Sequence, residues 1–212
     1  MNNMDRFDLY YTKEYMRYDI LNMLIKRYDF KKYLEIGVAE GQTFSRIECD
    51  FKISVDPLQN GYTTYQMHSD DFFANLGKDD KFDIIFVDGL HKYEQCYKDL
   101  ENSINHLEDN GFLLCHDMNP YNKWLARPEL VDGEMGAWNG DVYKSFIKFR
   151  QNHFDCCCCM LYDCDWGIGV IKKGIGQKIV CDVDSLTYEE FANNKNYLMN
   201  CISVYDFIKC FC

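Results

Sequence analysis

Five short strings hold the residues best suited to chemistry. They are Glu35-Ile36-Gly37-Val38-Ala39-Glu40-Gly41, Val55-Asp56-Pro57, His68-Ser69-Asp70-Asp71, Phe86-Val87-Asp88-Gly89-Leu90-His91 and Cys115-His116-Asp117-Met118-Asn119. The first runs from an apolar strand-like stretch into a turn whose glycines, Gly37 and Gly41, let a ligand approach the backbone. Helix-compatible sequence from Thr43 to Ile47 follows and offers free N–H groups. The spacing Glu-x-Gly-x-x-x-Gly sets an acid where a dinucleotide-binding G-x-G-x-x-G carries its first glycine. A carboxylate there repels a pyrophosphate and suits a cationic ligand, an ammonium or a sulfonium. Asp56, about 20 residues past the turn, can accept hydrogen bonds from both hydroxyls of a ribose. Ser69 and Asp70 can bond an adenine edge. Asp88, His91, His116 and Asp117 are acids and bases suited to moving a proton or holding a cation.

Each residue also has a plainer role. Asp56 can cap a turn or helix, and Ser69 can cap the helix that includes Phe72, Phe73 and Leu76. His91 can simply start the next helix, and His116 can be a satisfied core histidine. The conjunction favours function, because five successive strand ends each carry a polar group after an apolar run. In an open α/β sheet ligands bind beyond those carboxyl ends.

The elements that must position these groups alternate. Residues 12–28 read as a helix with Met16, Ile20, Met23, Leu24 and Tyr28 as its apolar stripe. Strand-like segments follow at 32–37, 52–56 and 63–67, and Phe82–Val87 is apolar on both faces, as expected of a central parallel strand. Tyr93, Tyr97, Leu100, Ile104 and Leu107 define an amphipathic helix that Asn110-Gly111 is expected to stop. A second buried strand spans Gly111–Cys115. Residues 120–137, with Pro120, Pro128, Gly133 and Gly136, read as an ordered loop long enough for an active-site lid. Asn139-Gly140-Asp141 leads into a helix bearing Val142, Phe146 and Phe149. Strands at 155–162 and 166–173 are expected to form a terminal antiparallel hairpin, with helices near 187–195 and 202–209 behind it. The expectation is one domain over 1–212, with an N-terminal helical cap (1–30), a doubly wound core (31–173) and a C-terminal helical extension (174–212).

Composition narrows the field. The chain of 212 residues can bury one substantial core. Its formal net charge of -11 argues against nucleic acid as a partner, which needs a basic patch. No run of about 18 apolar residues marks a membrane span, and the N-terminus lacks the apolar stretch of a signal peptide. The twelve cysteines then read as free thiols in a reducing, cytoplasmic setting. Cys156 to Cys159 alternate between faces in a strand, so the four cannot converge on one ion. Cys201, Cys210 and Cys212 lack paired C-x-x-C knuckles.

With these landmarks the sequence resembles the class I S-adenosylmethionine-dependent methyltransferases. Asp88-Gly89-Leu90-His91-Lys92-Tyr93, then Asp99-Leu100, then Gly111-Phe112-Leu113-Leu114-Cys115-His116-Asp117, is similar to a subgroup of sugar and small-molecule O-methyltransferases. Trp138-Asn139-Gly140-Asp141-Val142 resembles members found beside glycosyltransferases, including viral glycan-modifying ones. The resemblance covers roughly residues 30 to 173. It implies a seven-stranded Rossmann-like methyltransferase sheet with an antiparallel terminal hairpin. It also implies that Glu35, Gly37 and Gly41 contact the methionine part of S-adenosylmethionine, Asp56 the ribose, and Ser69 and Asp70 the adenine. Asp88 would lie beside the sulfonium.

The implied reaction is O-methylation of a sugar hydroxyl, such as one on a terminal deoxysugar like rhamnose on a glycan. A catechol-like or antibiotic-tailoring acceptor and a non-catalytic Rossmann-fold subunit stay open beside it. A nicotinamide-dependent oxidoreductase is disfavoured by the acid at position 35. Methyl transfer to a hydroxyl needs a base, a metal or both. Adjacent strands lie about 4.8 Å apart, so Asp88 and Asp117 can share a magnesium or manganese ion. Alternatively His91 or His116 acts as base, oriented by Asp88 or Asp117, and the sequence tilts slightly that way. Tyr121, Trp124 and Trp138 in the lid suit a sugar ring, or are simply packing. A glycosyltransferase, as partner or as neighbouring domain, is implied by the resemblance alone, as is a host-cytoplasm location should the protein be viral. A homo-oligomer is equally open.

Overall fold

The structure is a computed structural model and describes residues 14–131 and 136–211. Gly133 of the expected lid, the first residues of the expected 12–28 helix and Cys212 lie outside the described residues.

The first helix, α1 (Arg17–Tyr28), ends at Asp29, whose left-handed backbone returns a hydrogen bond to Ile25. Strand β1 (Lys32–Ile36) leads into the glycine turn and a short 3-10 segment at Phe44–Arg46. Then follow β2 (Phe51–Asp56), β3 (Tyr65–Gln66), α2 (Ser69–Ala74), β4 (Phe82–Val87), α3 (Tyr93–Asn105) and β5 (Leu107–Cys115). The chain closes with α4 (Tyr143–Asn152), β6 (Cys156–Leu161), β7 (Ile168–Lys173), α5 (Tyr188–Met199), β8 (Cys201–Ile202) and α6 (Val204–Phe211).

The strands form one sheet in the order β3-β2-β1-β4-β5-β7-β6-β8. Side chains alternate across it. Leu34, Ile85, Leu113 and Cys115 face α3 and α4, through Leu100, Ile104, Phe146 and Phe149. Tyr33, Ile84, Phe86 and Leu114 face α1 and α6, through Ile20, Leu24 and Phe207. The order reverses between β1 and β4, and the glycine turn sits at that switch point, where ligands of open α/β sheets bind.

Three expectations are corrected. The sheet has eight strands, because the C-terminal extension adds β8 parallel to β6. The expected antiparallel hairpin of β6 and β7 is present, with β7 lying between β5 and β6 and antiparallel to both. The strand expected at 63–67 shortens to Tyr65–Gln66. The helix expected to run to Leu107 stops at Asn105, and Leu107 instead pairs with Phe82 at the start of β5. The register then slips, and Gly111 lies so close to Asp83 that a Cβ would sit 2.6 Å from its carbonyl oxygen. Asn110-Gly111 is therefore a kink within a strand and not a helix stop.

The cysteine run behaves as alternation predicts. Cys156 and Cys158 enter one core layer, Cys159 enters the other, and Cys157 is exposed. Among the described residues no helix is long and apolar enough to cross a membrane.

Candidate active site

The glycine turn is built by backbone capture. Gly37 has φ +82° and donates its N–H to Val55, locking the turn to β2. A Cβ there would lie 2.2 Å from the Asp88 carbonyl oxygen, so only glycine lets β1 and β4 close up at this height. Asp56 Oδ2 accepts the N–H groups of Val38 and Ala39 at 3.0 and 3.1 Å, and its Oδ1 accepts that of Leu58 at 2.8 Å. Asp56 thus fixes the turn and also lines the cavity.

That cavity, of about 430 Å³, opens over the carboxyl ends of β1, β2 and β4, within the usual range for a small-molecule site. Gly37, Asp56, Ser69, Asp70, Asp88 and His91 all line it, as the sequence led one to expect. Ser69 is the first residue of α2 and not its cap, which is His68. From α3 the wall also takes Gln95 and Asp99, to which the sequence assigned no site role. The Gln95 side-chain amide donates to Ser69, Asp70 and Asp99 at 3.1–3.2 Å, tying α3 to α2 across one end of the cavity. Burial pushes the Asp99 carboxyl up to about 6, against the Ser69 and Gln95 bonds that favour its charge.

Glu35 and Gly41 stand elsewhere. The Gly41 site is covered by the Tyr62 ring, which an added Cβ would strike. Glu35 is 1% exposed and points to the α1 face of the sheet, where the Tyr33 hydroxyl donates to it. Strand alternation accounts for this. Leu34 and Ile36 enter one layer, so Tyr33 and Glu35 must share the other. Glu35, expected beside the methionine group, is therefore not among the residues lining this cavity.

Burial holds the Glu35 carboxyl up to about 8, outweighing the Tyr33 bond. A folded-state pKa raised from 4.5 means that stability is fully present below that value and is lost as pH rises through about 8. Glu35→Gln, which does not titrate, should gain on the wild type by a few kcal/mol between pH 5 and pH 8.5, at about 1.4 kcal/mol per pKa unit. Urea unfolding at the two pH values measures this, and a difference that does not change with pH refutes the buried carboxyl.

Behind the cavity wall the strand ends converge on a charged cluster. His116, 7% exposed, lies among three carboxylates. Its Nδ1 is 3.2 Å from Asp88 and 3.3 Å from Asp117, and its Nε2 is 3.3 Å from Asp165. His91 Nε2 lies 3.2 Å from Asp117 and 3.7 Å from Asp88, while its Nδ1 donates to the Trp138 carbonyl at 2.6 Å. Asn139 donates to the other Asp117 oxygen. From α1, Arg17 reaches Asp165 at 2.6 Å and Asp88 at 3.8 Å, and also donates to Thr43 and Gln42 behind the glycine turn.

Three carboxylates therefore face two imidazoles and a guanidinium. Burial disfavours charge on His91, but Asp117 and Asp88 outweigh it and push His91 up to about 9. His116 is raised well above its ordinary value by Asp117, Asp88 and Asp165, again against burial. Burial likewise opposes ionisation of Asp88, yet His116, His91 and Arg17 hold it well below the carboxylate range. Asp165 is held down to about 2, His116 and Arg17 outweighing burial. The surrounding carboxylates therefore favour the protonated form of both imidazoles, and an imidazole acting as base must first give up that proton. Donor atoms of Asp88, His116 and Asp117 lie within 4.8 Å of one another. Two carboxylates and an imidazole fit a divalent ion of manganese type, if His116 presents its neutral form.

The segment after β5 closes over this cluster. Asn139 and Gly140 donate their N–H groups to Leu125, and Trp138 donates through its indole to Arg127. A Cβ on Gly140 would lie 1.8 Å from the His91 carbonyl oxygen, so the loop packs directly on the histidine. Asp141 accepts the N–H of Tyr93 at 2.8 Å and so caps α3 from across the chain. Of the lid aromatics, Trp138 leans on His91 with centroids 5.5 Å apart, while Tyr121 and Trp124 are exposed. Tyr121 pairs with Trp166 at 5.0 Å and donates to the Asp165 carbonyl. Arg17, Asp165 and Asn139 escaped sequence reasoning because a helix, a β-turn and a loop far apart in the chain deliver them. Only the Asn139-Gly140 pair left a local signal.

Comparison with known proteins agrees with the fold. A family model described as a methyltransferase domain matches residues 50–118, about a third of the chain, from β2 through Asp117. A search of curated proteins finds no match. Among solved structures, the chain is similar to an O-methyltransferase from Bacillus cereus in complex with SAH. There the TM-score is 0.55 and the identity 11%, over 74% of this chain and 80% of that one. It is also similar to the O-methyltransferase TomG from Streptomyces achromogenes, involved in tomaymycin synthesis and solved with SAM. The TM-score is again 0.55, with 10% identity over 74% of this chain and 79% of that one. With β7 antiparallel inside an otherwise parallel sheet and the glycine turn at its switch point, the chain has the class I S-adenosylmethionine-dependent methyltransferase fold.

Proposed function

We propose that the protein is an S-adenosylmethionine-dependent O-methyltransferase acting on a small-molecule hydroxyl, with a sugar as the favoured acceptor. One observation carries this reading. Asp88 and His91 belong both to the wall of the cavity and to the charged cluster, so the cofactor pocket and the proton-handling groups meet at one place. The cofactor supplies an activated methyl group, and the protein has to position the acceptor and deal with its proton.

Asp56, Ser69, Asp70 and Gln95 line the cavity, and in this reading Asp56 would take a ribose diol while Ser69, Asp70 and Gln95 would meet a purine edge. The Trp138 carbonyl keeps His91 Nδ1 as a donor, so Nε2 is the nitrogen that exchanges a proton. Asp117 and Asp88 orient that nitrogen. A divalent ion held by Asp88, His116 and Asp117 would lower the pKa of an acceptor hydroxyl. The half-exposed faces of Tyr121 and Trp124 near the lid suit a sugar ring and also admit a catechol-like or antibiotic acceptor. Association with a glycan-building enzyme rests on the Trp138–Val142 string alone.

S-adenosylhomocysteine at about 100 times its Kd should stabilise the fold by about 2.7 kcal/mol, and NAD should not. Radiolabelled S-adenosylmethionine, offered with deoxysugar glycosides and with catechols, then identifies the acceptor. Stabilisation without transfer to any acceptor would support a non-catalytic subunit. No stabilisation by the product nucleoside would sink the cofactor assignment itself.

A further inference from the structure

At the end of the sheet away from the cavity lies a second cluster with different chemistry. β6 enters the sheet at Cys156, paired with Lys173 at the far end of β7, while Gly169 near the start of β7 pairs with Cys115 at the end of β5. Cys156 is therefore remote from the carboxyl ends that frame the cofactor cavity. Just before it, His153 closes α4, its ring stacked on Phe149 with centroids 4.1 Å apart.

One donor atom from each of His153, Asp155 and Cys156 lies within 4.8 Å of the other two. His153 Nδ1 is 3.8 Å from Asp155 Oδ1. Two nitrogen, oxygen or sulfur donors on one tetrahedral zinc ion are about 3.3–3.6 Å apart, given bond lengths of roughly 2.0–2.3 Å. The three donors stand wider than that, within 4.8 Å, and Asp155 is exposed, so binding would draw them together. A second, independent feature points the same way. His153 Nε2 lies 2.8 Å from Glu101 Oε1 on α3. A carboxylate on one imidazole nitrogen fixes the ring and leaves the other nitrogen its lone pair, as in carboxylate–histidine–zinc arrangements.

We infer that His153, Asp155 and Cys156 form a site for a thiophilic divalent cation of zinc type, with Glu101 as the outer partner of the histidine. Imidazole, carboxylate and thiolate together suit such an ion and leave a fourth position for water. As the ion binds, the Cys156 thiol proton passes to solvent and a metal–sulfur bond forms, with no change of oxidation state. The ion ties the end of α4 to the start of β6 and, through Glu101, to α3. Its role is structural and independent of methyl transfer.

Chelator-treated protein loaded with cobalt(II) tests this directly. The expected result is a near-ultraviolet thiolate-to-cobalt charge-transfer band at one equivalent. The band should disappear in Cys156→Ser and in His153→Gln and persist in Cys157→Ser, which changes an exposed cysteine of the same strand. The oxygen-and-imidazole cluster at Asp88 contains no thiolate and cannot produce the band. Zinc affinity, measured by competition with a chromophoric chelator, should fall about 10- to 100-fold in Glu101→Gln. Should Cys156→Ser fail to fold, His153→Gln and Glu101→Gln carry the test. A band that survives in His153→Gln, a band lost in Cys157→Ser, or no zinc uptake by the wild type would overturn the assignment.

Discussion

Asp117→Asn is expected to lower kcat for methyl transfer by roughly 10²- to 10⁴-fold, the usual worth of a group that handles or orients the transferred proton. Asp117 has φ +63°, a left-handed conformation that asparagine accepts and alanine resists. The substitution therefore changes charge while keeping shape and backbone. It removes the carboxylate closest to His91 Nε2, at 3.2 Å, and the largest attraction holding that imidazole up to about 9. Affinity for S-adenosylhomocysteine should stay within a few-fold, because Asp117 does not line the cavity. Single-turnover rates and calorimetry on the same preparation separate the two effects. A folded Asp117→Asn protein with a turnover loss below tenfold would remove Asp117 from the proton-handling group.

Gly37→Ala should destabilise the protein by on the order of 2–5 kcal/mol, the sum of a strained left-handed residue and an overpacked contact. The added methyl would meet the Asp88 carbonyl oxygen at 2.2 Å and the Gly89 Cα at 2.5 Å, and both are backbone atoms at the end of β4. Neither can yield, because Asp88 donates its N–H to Ile36 and Gly37 donates to Val55. The turn would have to leave β4, taking Asp56 and the cavity floor with it. Affinity for the product nucleoside should therefore fall at least about tenfold as well. Gly61→Ala is the control, since nothing lies within 4 Å of its Cβ position. Chemical denaturation of the two variants should separate them clearly, and equal midpoints would contradict the close approach of β1 and β4.

Local pattern alone marked the central strands and the helices that cover them. Apolar runs at 32–36, 52–56, 82–87 and 111–115 are too uniformly buried to be anything but central strands, and intervening amphipathic stripes such as Tyr97, Leu100 and Ile104 place helices on a face. Because ligands of such sheets gather at strand carboxyl ends, Asp56, Ser69, Asp70, Asp88 and His91 could be assigned to one cavity from their positions in these runs. Each of those assignments uses only local order along the chain.

What the tertiary structure decided is everything that depends on which face a side chain takes or which distant segment lies against it. Glu35 has the right sequence position for a cofactor contact. The alternation that buries Leu34 and Ile36 on one layer nevertheless sends it to the other, where it meets Tyr33. The surroundings of His116 are set by Asp165 from the β6–β7 turn and Arg17 from α1, which lie 148 residues apart and meet at 2.6 Å. Register too was settled by pairing, as when Leu107 left its helical stripe to join Phe82. Periodicity records how much of a residue is buried. The partner it is buried against comes from loop closure and sheet order, which no local pattern encodes.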